Sequence, residues 1–85
     1  MTLTVPEWLA RRGGDLRLAP DGRSCYVLVA GQPHYLLTPR PAAGRHTCTI
    51  LQTNNGRRLD RGTVYPSVEE AYRGGLEELR QALGW

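Results

Sequence analysis

The stretch SVEEAYRGGLEELRQAL, residues 67–83, decides the fold. Val68, Ala71, Tyr72, Gly75, Leu76, Leu79, Ala82 and Leu83 recur at the helical period of about 3.6 residues and share one face. Glu69, Glu70, Arg73, Glu77, Glu78, Arg80 and Gln81 take the other face. Ser67 followed three residues later by Glu70 is a capping box, which marks the start. Gly84 marks the stop. Glu69 and Arg73 form an i,i+4 pair in the favourable order. A helix with one apolar stripe must lie on something, and the strand-like segments before it are the available bed. Gly75 sits in the middle of the stripe, where it lets the helix backbone come down close on a sheet. Gly74 lies off the stripe, and the pattern gives it no role.

Before the helix the chain reads as short strands separated by turns. Asp15 to Ala19 alternates, with Leu16 and Leu18 opposite Asp15 and Arg17. Pro20, Asp21 and Gly22 form a turn. Arg23 to Ala30 is apolar on both faces and reads as a central strand. Gly31 to Pro33 turns the chain, His34 to Thr38 continues as a strand, and Pro39 and Pro41 are expected to end it. His46 to Thr53 is the next strand, Asn54-Asn55-Gly56 is a hairpin turn, and Arg57 to Arg61 is expected to return as a short strand carrying Leu59. Gly62 to Pro66 leads into the helix. At the N-terminus residues 1–5 read as extended, and Pro6 to Arg12 reads as one or two helical turns held by Trp8 and Leu9. The chain is thus expected to form one α+β domain over residues 1–85. Its core is a small antiparallel meander of four or five strands, with the C-terminal amphipathic helix on one face and a short N-terminal helix.

Composition narrows the function classes. No apolar run approaches the length of a membrane span, and no charged-then-apolar leader opens the chain, so a cytoplasmic location is expected. Two cysteines do not make a disulfide framework. Cys25, His34, His46 and Cys48 match no zinc spacing, and Cys48 with His34 lacks an orienting third group. No metal, cofactor or catalytic set is expected.

Two readings of function remain. The first is a non-enzymatic interaction module. The helix covers one sheet face, leaving Tyr26, Leu28, Leu36 and Leu51 as a surface for a protein partner or a second copy of the chain. The second is nucleic-acid binding through arginines on hairpin tips: Arg40 and Arg45 at one loop, Arg57, Arg58 and Arg61 at another. All eleven basic residues are arginine, with a surplus of positive charge before residue 67 and of negative charge after it. Any anion-binding surface is therefore expected on the strand region. The order short helix, strands, helix resembles double-stranded-RNA-binding domains, and the sheet-then-helix part resembles the small DNA-binding domains of phage integrases. The former carry lysines where this chain has Ser67, Val68, Glu69 and Glu70, and no motif carries either resemblance, so neither assigns a family.

Overall fold

The computed structural model describes residues 4–85. Residues 1–3 of the extended N-terminal reading lie outside that range. The elements in order are α1 (Glu7–Ala10), β1 (Gly14–Leu18), β2 (Cys25–Val29), β3 (Gln32–Ala42), β4 (Arg45–Gln52), β5 (Val64–Tyr65) and α2 (Val68–Leu83). All five strands join one sheet in sequential order, and every neighbouring pair is antiparallel. α2 packs across β3, β4 and β5, and α1 packs on β1. The chain is the α+β meander its pattern predicts, with five strands.

α2 begins and ends where its capping residues place it. Ser67 is extended, and its Oγ accepts from the Glu70 N–H at 3.2 Å. Gly84 is left-handed, and the N–H groups of Gly84 and Trp85 close the last turn on the carbonyls of Gln81 and Arg80. Ala71, Leu76 and Leu79 meet Val27, Tyr35, Leu37, Cys48 and Ile50 from the sheet, and Leu9 of α1 joins the same core. A Cβ on Gly75 would stand 2.5 Å from Cys48 Sγ and 2.9 Å from Leu37 Cδ2, so the close approach is real. Gly74 gains a reason that the helical pattern lacks. A side chain there would overlap the ring of Tyr65. The apolar stripe is shifted, because Val68 and Ala82 are exposed while Glu78 is 8% exposed. Glu78 accepts a 2.6 Å hydrogen bond from Thr63 Oγ1, which satisfies part of its buried carboxylate.

Three boundaries differ from the sequence reading. The turn between β2 and β3 is Ala30-Gly31, with both residues at positive φ, and Ala43-Gly44 repeats that geometry between β3 and β4. These are two-residue hairpins whose twist suits the strands they join. Gln32 and Pro33 therefore belong to β3. Pro39 and Pro41 do not end β3. They lie opposite Cys48 and His46. Pairing with β2 stops at Leu37, so beyond it β3 has a neighbour on one side only, and a missing N–H is tolerated on the vacant side.

The third difference is the fifth strand. Arg57 to Arg61 makes a single bridge, Leu51 to Arg58, and β5 is Val64–Tyr65 instead. A side chain interrupts the ladder: Asp60 Oδ1 accepts the Ile50 N–H at 3.2 Å, where a strand would offer a carbonyl. The Asn54-Asn55-Gly56 turn does form, closed by Gly56 N–H on the Gln52 carbonyl at 2.8 Å.

Candidate binding face

Both helices contribute to one core, so they lie on the same side of the sheet. The strand residues alternate. Cys25, Val27, Tyr35, Leu37, Cys48 and Ile50 are buried toward the helices, which sends their neighbours to the opposite face. Neither helix lies over that face, although Ser24, Leu28 and Thr49 on it are buried.

The register builds this face row by row. Tyr26 lies directly opposite Leu36, and Leu36 directly opposite Leu51. Arg17 extends the row on β1, and the bridge to Arg58 extends it past β4. Tyr26, Leu36 and Leu51 line a depression of about 440 Å³ together with Pro33, Gln52, Thr53 and Gly56. One row along, Ser24 and Thr38 share a 2.9 Å hydroxyl contact, and Thr38 lies opposite Thr49. The next row is Arg40, Thr47 and Val64, and Arg45 closes the face at the hairpin end. The sequence-chosen partner residues Tyr26, Leu36 and Leu51 are thus neighbours and half-buried. Leu28 shares their parity, but it is 6% exposed and lies outside the depression.

The arginines do not form one cluster. Arg40 lies opposite Thr47 and Arg45 opens β4, whereas Arg58 bridges Leu51, about 13 and 20 Å along the strands from them at ~3.3 Å per residue. Arg58 is held by Asp60 through hydrogen bonds of 3.1 and 2.7 Å. The Arg58 guanidinium, together with the Ile50 N–H, holds the Asp60 carboxyl below the usual range. Arg61 reaches back toward α2, 3.5 Å from Gln81 Oε1. Arg17, Arg40 and Arg45 are exposed on the uncovered face. Arg17 is absent from both sequence-chosen sets. Its alternation with Leu16 places it opposite the core, but only the pairing with Tyr26 places it beside the depression.

The groups that could carry other chemistry are dispersed. Cys25 and Cys48 are free and buried. β3 separates their strands and the register offsets them by two residues, which puts their backbones about 12 Å apart and beyond disulfide reach. Burial pushes the Cys48 thiol up to about 12, helped by the negative charges of Glu78 and Asp60, and pushes Cys25 up to about 11. Both stay protonated at neutral pH. His34 is exposed and lies five residues along β3 from the position opposite Cys48, about 16 Å away. Among the described residues, no three His, Cys, Asp or Glu side chains converge as a metal site would need. No described helix is long and apolar enough to cross a membrane. No protein-family model, curated protein or solved structure matches the chain.

Proposed function

We propose that the chain is a non-enzymatic interaction module that takes its partner on the uncovered sheet face. One observation carries this reading. Tyr26, Leu36 and Leu51 stand side by side across three strands around one depression, on the side that neither helix covers. Half-buried apolar groups gathered in this way gain by losing their remaining contact with water. The protonated, buried thiols and the distance between Cys48 and His34 favour binding over nucleophilic chemistry.

The rim charge favours an anionic partner over a second copy. Arg17, Arg40 and Arg45 are exposed on this face. Asp15 lies on it too, and Asp21 borders it with both oxygens occupied by Ser24 and the Arg23 N–H. Two copies meeting face to face would set these arginines against one another. The reading is tested by photo-crosslinking in the source cells, with p-benzoylphenylalanine placed at Leu36 or at Glu77 on the exposed side of α2. Adducts from the Leu36 position alone are expected, as discrete bands from a protein or a nuclease-sensitive smear from nucleic acid. Equal adducts from both positions, or none from Leu36, would refute it.

A further inference from the structure

Accepting this face as the binding surface, we infer that its occupant is single-stranded nucleic acid, with a base on Tyr26 and phosphates on Arg17 and Arg40. Tyr26 is half-buried in the middle of the row, with Arg17 beside it on β1 and Leu36 beside it on β3. A ring at the floor of a depression suits a base that has left its own stack, which favours a single strand over duplex. Leu36 and Leu51 continue the apolar floor next to it. Arg40 lies on the same strand as Leu36, four residues on, about 13 Å from the row. A backbone crossing the strands could therefore leave the depression and meet a second guanidinium.

The polar groups of the face indicate how such a strand is read. Ser24 Oγ is engaged by Asp21 and Thr38, Thr47 Oγ1 donates to the Thr63 carbonyl at 2.9 Å, and Thr53 Oγ1 donates to the Pro33 carbonyl at 2.8 Å. These hydroxyls are engaged within the protein, so the binding relies mainly on stacking and charge and has little sequence preference. An acidic polypeptide shares the charge complementarity, but it offers an aromatic face only where it carries Phe, Tyr or Trp, whereas every nucleotide brings one.

The test is fluorescence anisotropy of the full chain with labelled oligo(dT), oligo(rU), a mixed-sequence duplex and oligo-glutamate, at about 50 and 200 mM salt. Amide-shift mapping accompanies each titration. Both single strands are expected to bind, with dissociation constants of ~10⁻⁴–10⁻⁶ M. The tighter of the two assigns DNA or RNA. Duplex is expected to bind more weakly, with shifts confined to β1–β4. Tyr26→Leu keeps the apolar area and should weaken single-strand binding about tenfold. The exposed pair Arg17→Gln and Arg40→Gln should lower the salt slope by about 1.4, at ~0.7 per charge, and does not touch the core. No single-strand binding at low salt, a preference for duplex, or indifference to both sets of substitutions overturns the inference. If oligo-glutamate alone shifts the same amides, the nucleic-acid inference falls and the face stands as the binding surface. The crosslinking at Leu36 judges the face independently of every one of these probes.

Discussion

At Gly75 the added Cβ of any other residue would press on Cys48 and Leu37, both fully buried. Neither neighbour can swing into solvent, so α2 would have to lift from the sheet. Gly75→Val is expected to cost about 1–3 kcal/mol by overpacking. That exceeds what a better helix former returns, since glycine costs only ~1 kcal/mol relative to alanine in a helix. Urea denaturation measures it, and an unchanged midpoint would refute the close-approach account. Asp60 is a second residue with a readable energetic role. Its carboxylate accepts from Arg58 and from the Ile50 N–H, which lowers its pKa on folding. The stability it adds is present above the unfolded-state value of about 3.9. That stability is lost as the pH falls from there through the lowered folded-state value. Wild type should therefore lose more stability between neutral and acid pH than Asp60→Asn does. Parallel pH curves for the two proteins would remove Asp60 from this role.

The elements differ in how much of them could be read from the sequence. α2 was legible to its caps, because periodicity, capping box and C-terminal glycine are all local. The strands were legible by alternation, but their ends were set by neighbours. Pro39 and Pro41 stay in β3 because β2 stops at Leu37, a fact about pairing that no local signal carries. β5 was missed for a similar reason, since the Asp60 carboxylate replaces a backbone group and moves regular pairing on to Val64–Tyr65. α1 has four residues and cannot stand alone. Leu9 is fully buried beneath it, and Trp8 meets Trp85 at 6.1 Å between ring centroids. The Arg12 guanidinium lies 4.6 Å from the Trp85 ring centroid. Trp85→Ala removes both of those ring contacts, each worth about 0.5–1.5 kcal/mol. The expected result is a loss of about 1–2 kcal/mol in the opening free energy of α1 amides by hydrogen exchange, with the β3 amides much less affected. Equal losses in both would mean that α1 does not open separately.

At the scale of the molecule, the Cα radius of gyration is 11.9 Å, which matches the ~12 Å expected of a compact chain of this length. Part of the charge split along the sequence becomes a split between layers, although Arg12 and Arg61 lie on the helix side. Of the exposed acids of α2, Glu69 and Glu77 are matched by Arg73 and Arg80 on the helix itself, while Arg17, Arg40 and Arg45 stand on the far side of the sheet. The candidate face was partly legible: alternation found Tyr26, Leu36 and Leu51, and the register added Arg17 and set Arg61 aside. The meeting of Trp8 with Trp85 has a consequence of another kind. Among the described residues, α1 and the end of α2 stand at one place. A few linking residues there, with the chain opened at Ala43-Gly44, would give a circular permutant that keeps each pair of neighbouring strands. For the same reason, a host loop could carry the whole unit as an insertion, entering and leaving through adjacent strands of chain.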